Sequence, residues 1–226
     1  MRSYILPRKP MTIAVAVLAL LFLAYLGLKS HAQNVSLERE NLLGQAIEKT
    51  KASKSYRYRI DSRLAGEDGA NYMSRVTGEQ AGDRVHVKGT LLNSAFELVQ
   101  VGDESYLKDQ VTGGWINFKG NRLAQTELFV NEITPLAILN FKDVPEMNYK
   151  GKEKKNVILE IRPVVQNPYL ETLFTDHRYR IAVDPKKKLI TKVHMEATSR
   201  ENEKQKLVID IAFWDFDKDI RIEAPR

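Results

Sequence analysis

The chain has 226 residues, 43% of them hydrophobic and 28% charged, no cysteine, and a formal net charge of +6. The missing cysteine excludes disulfides, thiolate metal sites, a cysteine nucleophile and the lipid-modified cysteine of a bacterial lipoprotein. The positive charge does not point to nucleic acid: four of the 35 basic residues (Arg2, Arg8, Lys9, Lys29) precede every acidic residue, leaving 31 basic against 29 acidic beyond them. Those charges are mixed rather than gathered in a stripe, so only weak attraction to anionic lipid headgroups is expected.

Residues 1–32 read as an N-terminal membrane anchor or signal segment, and 33–226 as one extracytoplasmic domain. Met11–Leu28 is an uncharged run of 18 residues, roughly 27 Å as a helix and close to the hydrocarbon thickness of a bilayer. A retained anchor fits that length, while Ser30-His31-Ala32 would serve as a small-x-small cleavage site before Gln33. Either way, three positive charges before the run and Lys29 alone just after it place the remainder outside the cytoplasm. The expected localisation is the cell membrane, single-pass with the C-terminal domain extracytoplasmic, or secreted if the leader is cut after Ala32. The remaining length, about 194 residues, is enough to bury its own core without disulfides.

Ser36 is a candidate N-cap for a helix reaching Lys51, with Leu42, Leu43, Ala46 and Ile47 on one stripe. From Tyr56 the period changes to 2. Tyr56, Tyr58, Ile60 and Leu64 alternate with Arg57, Arg59, Asp61 and Arg63, as in a strand with one wet face. Further strands are expected at Tyr72–Glu79, Arg84–Gly89, Ser94–Val101, Ser105–Lys108 and Trp115–Phe118, separated by short Gly- and Asp-containing turns. Between Leu123 and Phe141 the spacing becomes helical, with Pro135 opening a second short helix. Strands resume at Met147–Glu153, Asn156–Arg162, His177–Asp184, Leu189–Ser199 and Gln205–Trp214. Asp184-Pro185-Lys186-Lys187 forms a turn between two of them. Two helices cannot cover a flat sheet of this size, so the sheet must curl around them. The fold class is therefore α+β: a large curved antiparallel sheet, an incomplete β-barrel of about 9–11 strands with helices packed in its concave face. An N-terminal transmembrane helix is expected in addition.

Particular phrases carry a resemblance. They are the Lys51-Ala52-Ser53-Lys54-Ser55-Tyr56-Arg57-Tyr58 helix exit, the Val101-Gly102-Asp103-Glu104-Ser105-Tyr106-Leu107-Lys108 hairpin, Gly113-Gly114-Trp115, and the late Asp-Pro-Lys-Lys-Lys turn. In this order, over roughly residues 36–216, the chain resembles the LolA-like superfamily of bacterial envelope proteins. That superfamily includes lipoprotein carriers, the LppX and LprG type of lipid-binding lipoproteins and the RseB sensor domain. The resemblance implies an eleven-stranded half-barrel whose helices lid a hydrophobic cavity for acyl chains, and it brings no catalytic residues. This chain departs from the lipoproteins in lacking the modified cysteine, and a tethered protein cannot ferry cargo as a soluble carrier does.

Catalytic signatures are absent: no G-x-S-x-G, P-loop, G-x-G-x-x-G, H-E-x-x-H or EF-hand loop occurs. His31, His86, His177 and His194 are scattered, with His86 and His194 on polar strand faces, and Asp176-His177 has no serine to serve. No enzyme activity, catalytic residue, metal or cofactor is expected. An ordinary closed core explains the apolar strand faces. If they instead line a lipid cavity, the candidates are Tyr56, Tyr58, Phe96, Leu98, Phe129 and Leu139, which suit an acyl chain. Lys186-Lys187-Lys188 reads as a solvated hairpin tip, or as a contact for lipid phosphates or an acidic partner. The leading expectation is a non-enzymatic tethered domain binding a lipid, acyl chain or lipidated protein at the outer face of the cytoplasmic membrane. The alternative is a structural, interaction or sensor module with a closed core, meeting another envelope protein, with sporulation or germination as a setting.

Overall fold

The computed structural model describes residues 41–67, 69–119 and 133–225. Its compact unit is Leu43–Arg226. Residues 41–51 are helical (α1). Six strands follow: β1 (Ser55–Gly66), β2 (Gly69–Ala81), β3 (Arg84–Leu91), β4 (Ser94–Val101), β5 (Glu104–Lys108) and β6 (Trp115–Lys119). A 3-10 helix at Pro135–Leu139 leads into β7 (Phe141–Glu153) and β8 (Asn156–Val165). Helix α2 (Pro168–Leu173) then precedes β9 (Phe174–Asp184), β10 (Leu189–Ser199) and β11 (Lys206–Trp214).

These strands form one eleven-stranded sheet in the order β6-β5-β4-β3-β2-β1-β11-β10-β9-β8-β7. Every pairing is antiparallel. Two meanders therefore meet where the first strand pairs with the last, and among the described residues β6 and β7 are the two ends of the sheet. This is the strand count and order of an incomplete barrel. The transmembrane helix expected at Met11–Leu28, the helix start at Ser36 and most of Leu123–Phe141 lie outside the described residues. Among the described residues no helix is long and apolar enough to cross a membrane.

Alternation sets the two faces. In β1, Tyr56, Tyr58, Ile60 and Ser62 are buried, while Arg57, Arg59, Asp61 and Arg63 turn outward. The outward row is laced by exposed pairs such as Arg57–Glu79, Arg63–Asp210 and Arg75–Asp61, which contribute little to stability individually. In α1, Leu43, Ala46 and Thr50 form the buried stripe. Thr50 Oγ1 accepts the Ile190 amide at 2.9 Å, fixing the helix to the start of β10. Lys51 Nζ then donates to Asn140 Oδ1 at 2.6 Å, beside the 3-10 helix.

The β9–β10 turn is built by its aspartate. Asp184 Oδ1 accepts the amides of Lys186 and Lys187 at 3.0 and 3.1 Å, an Asx-type turn. The Lys187 amide first, then that of Lys186 and the Lys155 charge, hold this carboxyl below the usual range against the opposing effect of burial.

Three features depart from the sequence reading. β7 begins at Phe141 rather than Met147, and its pairing with β8 shifts at three places; each bulge interrupts the period-2 pattern that marks a strand. α2 has only six residues, too few for a helical period to be read, although Asn167 Oδ1 caps it by accepting the Leu170 amide. The chain after β11 folds back over the outer face, where Ile220 and Ile222 pack with Val99, Ala81, Val101, Tyr106 and Trp115. Asp217 Oδ1 accepts the Lys54 amide at 2.8 Å, and Arg84 donates to the Ile222 carbonyl at 2.9 Å. Trp115 thus belongs to the outer cluster, with Lys108 Nζ 4.7 Å above its ring.

Candidate ligand-binding face

The inner face consists of apolar rows that run across the strands. One row crosses nine strands: Phe96, Gly89, Val76, Ile60, Ile211, Val193, Ile181, Leu159 and Tyr149. A second holds Leu107, Leu98, Val87, Gly78, Tyr58 and Phe213. A third holds Ser62, Ile209, Met195, Tyr179, Ile161 and Met147. Such rows arise because side chains of one pleat parity point to one side, so a register kept across strands keeps the row apolar.

Five of the six expected cavity residues are buried: Tyr56, Tyr58, Phe96, Leu98 and Leu139 are 2%, 0%, 8%, 0% and 1% exposed. Phe129 lies outside the described residues. Tyr56 and Tyr58 sit together, with ring centroids 6.0 Å apart. Tyr58 and Leu98 share a row, and Phe96 begins the neighbouring one. Leu139 comes from the 3-10 helix, not the sheet. Burial pushes the Tyr56 phenol well above its ordinary value, and its hydroxyl donates to Gln80 Oε1.

Two polar groups on this face have no hydrogen-bond partner among the described residues, the Tyr179 hydroxyl and Gln100 Oε1. Tyr179 is 0% and Gln100 5% exposed. Burial alone drives the Tyr179 phenol upward in pKa, so it remains a neutral donor. Its ring meets Phe141 edge-on at 5.1 Å. An unpaired buried polar group costs about 1–3 kcal/mol, and a ligand oxygen within reach would recover that. Neither residue is among the candidates read from the sequence: Tyr179 reads there as one apolar position of an alternating strand with Ile181 and Val183, and nothing local marks a hydroxyl that lacks a partner.

The titratable side chains near the face are engaged as follows. Asp176 is held by Arg178 at 2.8 Å and Arg162 at 3.7 Å. His177 Nε2 has no hydrogen-bond partner among the described residues. His86 is flanked by Glu97 and Glu79 at 2.9 and 3.8 Å, and His194 by Asp210 and Glu196 at 2.7 and 3.2 Å. They are carboxylate-paired rather than simply solvated. Among the described residues no group of three His, Cys, Asp or Glu side chains is placed to hold a metal ion.

No family model matches this sequence, and no curated protein does. Solved structures do. The lipoprotein LppX of Mycobacterium tuberculosis is similar with a TM-score of 0.53 and 12% identity, covering 81% of this chain and 99% of its own. LprF from Mycobacterium bovis gives 0.52 and 12%, covering 83% and 97%. A LolA superfamily protein from Nitrosomonas europaea stands further off, at 0.38 and 10% over 80% of this chain and 94% of its own. The fold is thus the one seen in LppX and LprF, shared over nearly their whole lengths.

Proposed function

We propose that this chain is a non-enzymatic, membrane-tethered extracytoplasmic domain that binds a lipid, an acyl chain or the acyl part of a lipidated protein. It would act at the outer face of the cytoplasmic membrane, held there by residues 1–32. The observation that carries this reading is the inner face itself: apolar rows crossing up to nine strands, with the Tyr179 hydroxyl and Gln100 Oε1 among them lacking a partner among the described residues. Apolar walls with a few polar groups are the composition of a lipid site. Each methylene buried there contributes about 0.8 kcal/mol. The fold shared with LppX, itself a lipoprotein, supports an envelope setting. On this reading Tyr56, Tyr58, Phe96, Leu98, Phe129 and Leu139 line the site, with Tyr179 as a polar contact.

The test is uptake of a fluorescent fatty acid by the full chain in a non-ionic detergent. Saturable uptake, displaced by unlabelled fatty acid, is expected. Absence of uptake would favour the second reading, an interaction or sensor module for another envelope protein. That reading draws on one observation, the complete burial of Tyr58 and Leu98, which a filled core also produces.

A further inference from the structure

At the rim where the end of α1, the β7–β8 turn, the β9–β10 turn and the exit of β11 meet, the surface opens into a cleft of about 580 Å³. Lys49, Lys155, Lys186, Lys187 and Lys218 line it, with Asp184, Asp215 and Asp217. Each aspartate is committed to another partner. Asp215 pairs with Arg57 at 2.7 Å, and Asp217 accepts the Lys54 amide at 2.8 Å. Asp184 accepts two amides of its own turn and stands 3.7 Å from Lys155 Nζ. Lys49, Lys186 and Lys218 form no salt bridge among the described residues, and Lys187 acts on Asp184 by its charge alone. With Lys187, these lysines form the rim of the cleft. They come from three separate parts of the chain and meet only in the fold.

The other walls of the cleft are apolar, including Leu189, Phe213 and Phe216. Phe213 and Phe216 pack against Tyr56, with ring centroids 5.8 and 6.2 Å away, so the aromatic wall of the cleft is continuous with the packing of the inner face. Five lysines against three aspartates leave the cleft net positive, a concave site with an excess of one sign of charge concentrates counter-ions, and lysine binds phosphate as a compact point charge. We propose that this cleft binds a phosphate-ester anion, with the lysine rim taking the phosphate and the aromatic wall taking the carbon-bearing part. The site stands independently of acyl binding. If both hold, the headgroup of a lipid sits here with its chains directed to the inner face.

The cleft carries its own reporter. Trp214 lines it, and the chain has two tryptophans, so Trp115→Phe leaves Trp214 as the sole indole. The full-length variant in a zwitterionic detergent is titrated with glycerol 1-phosphate and with dihexanoyl phosphatidylglycerol. A saturable change in Trp214 emission is expected, weakened about tenfold or more when Lys186→Glu and Lys187→Glu are introduced and weakened also by salt. Both lysines are exposed, so the charge reversal is expected to leave the far-ultraviolet circular dichroism unchanged. Equal affinity for the two probes identifies a free phosphate ester as the ligand class, and tighter binding of the diacyl probe identifies a lipid headgroup. No saturable response to either probe, or a response the double reversal leaves unchanged in a folded protein, overturns the proposal. Fatty-acid uptake by the same double variant is expected to stay at the parent level, so failure of the cleft and failure of the acyl site are read separately.

Discussion

Gly78 and Tyr58 face each other across β2 and β1, and a Cβ on residue 78 would stand 2.2 Å from Tyr58 Cζ. The phenol end of the ring therefore covers the glycine, in space that only a missing side chain leaves open. Tyr58 is 0% exposed and cannot swing into solvent. Gly78→Ala is expected to destabilise the domain by about 1–3 kcal/mol, as overpacking does. The check is a thermal melt of Gly78→Ala alone and with Tyr58→Leu. The double variant is expected to lose less than the sum of the single losses, because the clash is the coupling.

Leu98 lies one row position beyond Val87 from Gly78 and is 0% exposed. A methylene-scale increase in volume there separates a ligand cavity from a filled core. If the inner face opens on a cavity, Leu98→Phe fits with little loss of stability and fatty-acid uptake falls. If the core is filled, the same change costs about 1–3 kcal/mol. Parallel melts and uptake titrations on this variant read both quantities, and we expect the first result.

His177 links stability to pH. Burial, ahead of the opposing Leu170 carbonyl contact and the disfavouring Arg200 charge, lowers its pKa below the usual histidine value. The unfolded chain then binds more protons than the folded one near and below that usual value, so stability rises with pH there. The contribution is complete above about pH 7 and is lost as pH falls through the folded pKa. His177→Gln removes the titrating group, and its denaturation midpoint is expected to change less between about pH 7 and pH 5 than that of the parent. Equal slopes for the two proteins would remove His177 from the account.

The β3–β4 hairpin turns on Leu92-Asn93, with φ of 48° and 64°. A two-residue turn with both φ values positive is type I′, which favours Asn and Gly and disfavours leucine. Leu92 is also 69% exposed, so its side chain gives little packing in return. Leu92→Asn is expected to raise stability by roughly 0.5–1 kcal/mol, measured by urea denaturation. A loss of stability would mean that Leu92 packs in a way its exposure does not reveal.

The sheet was legible in the sequence because its strands keep alternation: Tyr56, Tyr58 and Ile60 against Arg57, Arg59 and Asp61 announce one buried face directly. Legibility ended where that rule is broken. Bulges in β7 hide its first residues, and α2 is too short to display a period. Ile220 and Ile222 fall beyond the last strand, in an alternation (Ile220-Arg221-Ile222-Glu223) too short to be read as a strand. Candidate lining residues in the strands could be named from pattern. The unpaired hydroxyl of Tyr179 and the meeting of Lys49, Lys186 and Lys218 could not, since both depend on three-dimensional proximity between distant parts of the chain.

Native mass spectrometry of the full chain, released from detergent and followed by lipid extraction, tests the central claim most directly. A species heavier than the polypeptide by the mass of one lipid or fatty acid is expected, stoichiometric and recovered in the extract. Tyr179→Phe is expected to lower its occupancy without unfolding the domain. A clean polypeptide mass after expression in a bacterial envelope, together with no uptake of added fatty acid, would contradict the account and leave a closed-core interaction module in its place.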